Sequence, residues 1–243
     1  MSTEAESGTE TETVPEPDTA DPRPAWSRWV IYLGAALALL LVGATGGMML
    51  TETFRDEPAA TPQAGSVSVG FSQDMALHHE QAVSMANWAR AHTDDPAIRQ
   101  LAFDIGSTQL EQIGRMKGWL MLWGQPEQAL GEYMTWMAGP DGHAHGHAAP
   151  EQASGDAPMP GMATSAEMEQ MRSLSGAELD VKFLQLMLRH HQGGADMAEY
   201  ARDHAAVPAV RTLAQSMLTS QGAEMDLMRR LLAERDAEPL PYP

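Results

Sequence analysis

Two segments of the chain carry adjacent histidines, with methionines at helical spacing on both sides. One is DMALHHEQAVSMANWARAH, residues 74–92, and the other is LMLRHHQGGADMAEYARDH, residues 186–204. Imidazole nitrogens and thioether sulfurs both bind metals. Thioethers select soft ions such as Cu(I), while imidazole also serves Cu(II), zinc and iron. The chain has no cysteine, so thiolate ligands and disulfides are excluded, and a mixed Met/His set favours copper.

Helical periodicity places these side chains on one face of each segment. At about 100° per residue the apolar stripe of both segments includes the His-His pair and its methionines, so we expect them to point into a protein core. Small residues on the same stripes would leave room there: Ala82, Gly193 and Gly194. The predicted metal ligands are Met75, His78, His79, Met85, Met187, His190, His191 and Met197.

Polar residues on the partner helices could support such a site. Gln109 and Gln221 lie in the middle of apolar stripes, and Glu224 lies about 60° from the second stripe. Leaving a buried amide or carboxylate unpaired costs roughly 1–3 kcal/mol, and a ligating imidazole usually donates its other N–H to an acceptor. The predicted outer partners of the histidines are Gln109, Asp180, Gln221 and Glu224.

An internal repeat organises the second part of the chain. A shift of 112 positions aligns residues 71–116 with 183–228 without a gap, and about 17 of the 46 pairs are identical. Each copy predicts a helical hairpin, with helices near 71–92, 96–123, 176–204 and 208–235. Two amphipathic hairpins must pack together to bury their apolar faces. The predicted fold class is all-α, a four-helix bundle preceded by one transmembrane helix.

Several signals mark the ends of these helices and the divisions of the chain. Pro96 and Pro208 suit first helical turns, Gly124 suits the residue after a helix, and Ser175 with Glu178 suggests a capping box. The predicted divisions are a disordered acidic tail (1–25), a membrane anchor (26–50), a linker (51–69), the first hairpin (70–124), a His/Met/Gly/Pro-rich loop (125–164), the second hairpin (165–236) and a tail (237–243).

The N-terminal apolar segment predicts a membrane anchor. Residues 29–50 contain no charge, and roughly 20 apolar residues suffice to cross a bilayer as a helix. Arginines before the span, at 23 and 28, outnumber the one at 55, which predicts a cytoplasmic N-terminus and an extracytoplasmic C-terminal part. A cleaved signal peptide is the alternative interpretation. Gly43 and Gly47 form a GxxxG pair, a pattern that would suit a homodimer.

A histidine-rich segment and the net charge of the chain also indicate which ligands it could bind. The segment DGHAHGHAAP contains His143, His145 and His147, which predict a secondary, flexible site for Cu(II), Ni(II) or Zn(II). The formal net charge of −18 argues against nucleic-acid binding, which needs a basic face, and suits a surface that attracts cations.

The repeated motifs resemble the DUF305 family of bacterial extracytoplasmic proteins. FSQDMALHHEQAVSMA and DVKFLQLMLRHHQGGADMA, each followed by a SQxxE-like segment, carry the resemblance over roughly residues 68–235. The resemblance implies a ferritin-like four-helix bundle. Some members, the CopM-like proteins, are periplasmic copper binders linked to copper resistance, and this implies the same Met and His ligands here. Gln112 stands where the second copy has Glu224, so a site that needs a carboxylate would favour the second copy.

The sequence therefore predicts a membrane-anchored, extracytoplasmic copper-binding protein that buffers copper or passes it to a delivery partner. Cu(I) is the favoured ion, with Cu(II) or Zn(II) as alternatives. No catalytic signature is found, and we expect no enzyme activity. Two other functions remain open at this stage. One is a metal-dependent oxidase or peroxide-consuming enzyme, against which the absence of paired Glu-x-x-His argues. The other is a structural or interaction module without metal.

Overall fold

The computed structural model describes residues 24–53, 61–138 and 157–242, and all regular structure within them is helical. The chain divides after Ala59 into two compact units. The first contains α1 (Ala25–Thr53), which is long and apolar enough to cross a membrane by length and composition. This helix extends the predicted span of 26–50 at both ends. The predicted acidic tail lies almost wholly outside the described residues, as does part of the predicted linker.

The second unit begins with a helical hairpin. Helix α2 (Val67–His92) begins four residues before the predicted position, because the Ser66 side chain accepts a hydrogen bond from the Val69 N–H and caps the helix there. Helix α3 (Pro96–Leu122) has Asp95 as its N-cap, and that carboxylate accepts from two backbone N–H groups of the first turn. Gly124 adopts a positive φ of 65° just after α3, which confirms its predicted place beyond the helix end.

The second hairpin repeats this pattern with different caps. Helix α5 spans Gly176–His204 and helix α6 spans Pro208–Ala233, close to the predicted bounds. The predicted capping box at Ser175 is wrong, because that side chain makes no cap hydrogen bond. A capping box forms instead between Thr164 and Glu167, at the start of a short helix that the sequence pattern did not predict, α4 (Ser165–Ser173).

The two hairpins pack through α2 and α5, which run antiparallel. At one end of this pair, the Thr93 hydroxyl donates to Asp180 Oδ1 at 2.5 Å. At the other end, the Val207 N–H donates to Ser68 Oγ at 3.3 Å. Each contact joins a residue just beyond the end of one of these helices to the first two turns of the other. The antiparallel arrangement brings the centres of the two repeats, and therefore their histidines, to the same level of the bundle.

A short strap closes the bundle beside the start of α2. A turn of 3-10 helix, Thr135–Met137, seats Trp136 against Gly70, where a Cβ atom would lie 2.4 Å from the indole. The buried Asp74 carboxylate accepts from the Met134 N–H at 2.7 Å and from Trp136 Nε1 at 2.8 Å. Burial raises the pKa of Asp74, while these two hydrogen bonds oppose the rise. Part of the segment predicted to be irregular is therefore built into the core.

Candidate metal centre

The four paired histidines converge in the interior of the bundle. His78 and His79 come from α2, His190 and His191 come from α5, and none is more than 1% exposed. The ring centroids of His78 and His190 lie 3.8 Å apart, with the rings tilted by 38°. These side chains meet because equivalent positions of the two repeats face each other across the antiparallel pair.

Each of the four imidazoles uses its Nε2 atom in a hydrogen bond. His79 Nε2 donates to Gln112 Oε1 and His191 Nε2 donates to Glu224 Oε2, both at 2.7 Å. The remaining two donate to backbone carbonyls: His190 to His78 O at 3.0 Å, and His78 to Pro160 O at 3.2 Å. A carbonyl oxygen can only accept, so in the neutral ring the proton of His78 and His190 lies on Nε2. The Nδ1 atom then carries a lone pair.

Burial keeps the rings of His78, His79 and His190 neutral. It is the largest cause that lowers the pKa of His78 to about 4 and that of His79 to about 3, and in His79 the neighbouring His78 lowers it further. The pKa of His190 is also well below its ordinary value, first through burial and then through the other three rings. Metal binding requires neutral imidazole, so protons compete weakly for these nitrogens at neutral pH.

Several buried polar atoms of this layer have no hydrogen-bond partner among the described residues. They include Nδ1 of His78, His79 and His191 and both side-chain amide atoms of Gln109. A buried polar atom left unsatisfied costs roughly 1–3 kcal/mol, and most buried polar atoms of native proteins have a partner. Three buried, unpartnered imidazole nitrogens in one layer are therefore a feature that needs an explanation.

The His78 ring packs closely against the backbone of Gly194. A Cβ atom at Gly194 would lie 3.6 Å from His78 Nδ1, 3.2 Å from His78 Cε1 and 3.3 Å from Gln221 Oε1. The imidazole nitrogen and the amide oxygen therefore border the same small volume. The equivalent position of the first repeat is Ala82, which has a methyl group there. The neighbouring Gly193 is packed more tightly still, against the Pro160 carbonyl.

The predicted methionine ligands are all fully buried and lie in two groups. Met75 and Met197 share one apolar cluster with Met116 and Met217, whereas Met85 and Met187 share the other with Met228. This division follows from the antiparallel packing, since Met75 precedes the histidines of α2 and Met197 follows those of α5. The thioethers therefore lie in both apolar clusters of the bundle.

Only some of the predicted outer partners lie near the histidines in the structure. Glu224 accepts from His191 as expected, and Gln221 lies beside His78. Asp180 accepts from Thr93 at the end of the bundle and makes no hydrogen bond to the histidines. Among the described residues, the Gln109 side chain has no hydrogen-bond partner. Sequence reasoning missed Gln112 as a partner of His79, although its alignment with Glu224 was the signal that could have identified it.

Within residues 24–53, 61–138 and 157–242, no three His, Asp or Glu side chains form a metal-binding group. A metal in the histidine layer would therefore have to draw on amide or thioether groups as well as imidazole. His143, His145 and His147, the predicted secondary site, lie outside the described residues.

Comparison with known proteins identifies the family. Residues 68–232 match the family described as a domain of unknown function, DUF305. The chain belongs to the DUF305 family. The match spans both hairpins and includes every histidine of the buried layer, so the predicted resemblance is confirmed. No curated protein matches the chain.

Solved structures of DUF305 proteins share this fold. A DUF305 protein from Streptomyces coelicolor, described as secreted, is 41% identical; the match covers 74% of this chain and 100% of that chain, with a TM-score of 0.65. A DUF305 fragment from Deinococcus radiodurans is 32% identical, over 71% of this chain and 99% of that chain, with a TM-score of 0.56.

A third likeness is to CopM. In its Cu(I)-bound form CopM is 21% identical, over 69% of this chain and 96% of that chain, with a TM-score of 0.51. At this identity the likeness shows that the two proteins share a helical fold. The all-α fold class that the sequence predicts is thus confirmed by the described helices and by these neighbours.

Proposed function

We propose that this DUF305 protein binds copper, as Cu(I) in the first instance, in the buried histidine layer, and that it buffers copper or passes it to a delivery partner. The observation that carries the proposal is the buried, unpartnered Nδ1 atom of His78, which lies close to Gly194 together with Gln221 Oε1. A neutral imidazole with its N–H held by a carbonyl is the arrangement in which metal-binding histidines are usually found.

The ligand types favour copper among the metals that imidazole binds. Thioethers are soft ligands that suit Cu(I), and buried methionines lie in both apolar clusters of the bundle. Zinc sites are usually closed by four His, Cys or carboxylate ligands, and no group of three such residues forms within the described parts of the chain. CopM, which shares the fold, has been solved with Cu(I) and with Cu(II) bound, which adds support.

We propose that the protein binds copper without catalysing a reaction. Di-iron enzymes on four-helix bundles use a carboxylate from each helix, and the described histidine layer of this chain has one such group, Glu224, which is engaged with His191.

We further propose that α1 anchors the protein in the cell membrane with the bundle on the extracytoplasmic side. Its apolar length and the secreted DUF305 relative support this location. The GxxxG homodimer stays a prediction.

Replacing Gly194 with alanine tests the site with a minimal change. The added methyl group would press against the His78 ring and Gln221 Oε1, so we expect Cu(I) affinity to fall at least about tenfold, the range seen when the surroundings of a ligand are altered. The helix itself should tolerate alanine, which favours the helical state by about 1 kcal/mol relative to glycine. The measurement is an anaerobic Cu(I) titration of the purified chain against a competing chelator.

Gly222→Ala provides the matched control, because a Cβ atom at that helical glycine meets nothing within 4 Å. This variant should bind Cu(I) like the unmodified chain. Equal affinity of the unmodified chain and Gly194→Ala, with both correctly folded, would exclude a copper position near Gly194 that involves His78 and Gln221.

A further inference from the structure

The non-helical segment Met159–Ala163 covers the histidine layer between α2 and α5. Its Pro160 carbonyl accepts the hydrogen bond of His78 Nε2 at 3.2 Å, and the side chains of Met159 and Met162 are buried beneath it. Of the four Nε2 atoms in the layer, this is the one that bonds to a segment outside the helices. The other three donate to groups of α2, α3 and α6.

Glycines on both sides allow this segment to sit directly on helical backbone. Gly161 has a positive φ of 76°, and a Cβ atom there would lie 2.5 Å from the Arg189 carbonyl oxygen. A Cβ atom at Gly193 of α5 would lie 2.1 Å from Pro160 O. Side chains at either position would separate the segment from the helix, so the sequence is adapted to this close approach.

A single side chain holds the end of the segment on α2. The Gln81 amide donates to Ala163 O at 2.8 Å and accepts from the Ala163 N–H at 2.7 Å. Within the segment itself, one backbone hydrogen bond is present, from the Met162 N–H to Met159 O at 3.3 Å. Few hydrogen bonds therefore hold the segment, together with the burial of Met159, Met162 and Ala163, while a continuous ladder of backbone hydrogen bonds holds each neighbouring helix.

We propose that Met159–Ala163 is the entry gate of the histidine layer, and that a copper ion reaches His78 when Pro160 and Gln81 release the segment. This inference rests on the proposed function. Opening the segment breaks the Pro160 and Gln81 hydrogen bonds and exposes Met159 and Met162, whereas entry between α2 and α5 requires two long helices to separate. A short non-helical segment held by few hydrogen bonds opens at a lower free energy than two packed helices separate, so we assign entry to this segment. Closure restores the Pro160 bond, which keeps the proton of His78 on Nε2 and leaves Nδ1 for the metal.

The test uses the full chain and compares Gln81→Ala with Gln100→Ala. Gln100 is an exposed residue of α3 whose amide bonds to Asp104, so its removal leaves the gate untouched. The rate of Cu(I) transfer between the chain and a competing chelator is measured under anaerobic conditions. Peroxide oxidation of Met159 in the metal-free chain, followed by mass spectrometry, reports opening independently of copper.

Loss of the two Gln81 hydrogen bonds should raise the rates of copper uptake and release about tenfold. The rate of Met159 oxidation should rise by a similar factor. The number of bound ions should stay the same, and the affinity should change less than twofold. Gly193→Ala, which displaces Pro160, should accelerate both processes further, while Gln100→Ala should match the unmodified chain.

Two results would overturn the gate. One is faster Met159 oxidation with unchanged transfer rates, which would mean that copper enters elsewhere. The other is unchanged oxidation in both gate variants, which would mean that these contacts do not hold the segment. Absence of Cu(I) binding by the unmodified chain would instead refute the proposed function, and the gate with it, so the two failures are distinguishable.

Discussion

Replacing His78 and His190 together with leucine is expected to abolish tight Cu(I) binding and to leave a folded helical bundle. Altering the hydrogen-bonded neighbour of a ligand already costs about 10- to 100-fold in affinity, so removing two imidazoles should cost more than about a hundredfold. Leucine is close to histidine in volume, and it avoids leaving a cavity where the two rings now lie 3.8 Å apart. An anaerobic competition titration measures the affinity, and circular dichroism checks the helices.

His92 and His204 provide the matched control pair. They occupy equivalent positions of the two repeats at the ends of α2 and α5, both are exposed, and each stacks on an aromatic ring. Their double replacement with leucine should leave Cu(I) binding unchanged. If the buried variant retained the affinity of the unmodified chain, the histidine layer would be a structural core and the proposed function would be wrong.

The metal-free bundle is expected to lose stability steeply in mild acid. His78 and His79 have pKa values of about 4 and about 3 in the folded state, below the ordinary value of 6.5 that they regain on unfolding. Below pH 6.5 the unfolded chain therefore binds protons that the folded chain does not, so stability falls as the pH falls. Each histidine costs about 1.4 kcal/mol per pH unit in this range, which amounts to roughly 5 kcal/mol for both at pH 4.5.

This loss is large beside the roughly 5–15 kcal/mol that stabilises a typical domain. The pKa of His190 is lowered by the same burial and adds to the loss. Asp74 and Asp180, whose pKa values are raised by burial, act in the opposite sense as they take up protons in the folded state. Glu167, with a pKa of about 2, adds to the loss below pH 4.5 through its pairing with Arg189.

Denaturant unfolding at a series of pH values between 7 and 4.5 measures this effect. The free energy of unfolding should fall across the series. In the variant with leucine at positions 78 and 190 it should fall less steeply, because two of the titrating rings are gone. Saturating Cu(I) should shift the acid transition to lower pH, because metal and protons compete for the same nitrogens. An unfolding free energy that stays constant from pH 7 to 4.5 would contradict the buried, neutral state of these rings.

The bundle was largely predictable from the sequence because its signals are local. Periodicity assigns His78 and His190 to buried faces, and Pro96, Gly124 and Pro208 mark helix ends through conformations that depend on a few neighbouring residues. The capping box predicted at Ser175 was wrong, because a local sequence pattern does not ensure that the cap hydrogen bond forms. The capping pattern is present there, yet the side chain makes no cap bond, while Thr164 and Glu167 form the box at a helix too short to show clear periodicity.

The site was predictable only in part. Spacing along a helix determines the angle of a side chain around its own axis, and so it determined that histidines and methionines of both repeats enter a core. It does not determine which helices meet, at what height, or where a connecting segment returns. These features of the packing left Nδ1 of His78 without a partner and paired His79 with Gln112. They also placed Asp180 at the end of the bundle and set Pro160 against Gly193. Only tertiary packing decided them, because each depends on contacts between residues far apart in the chain.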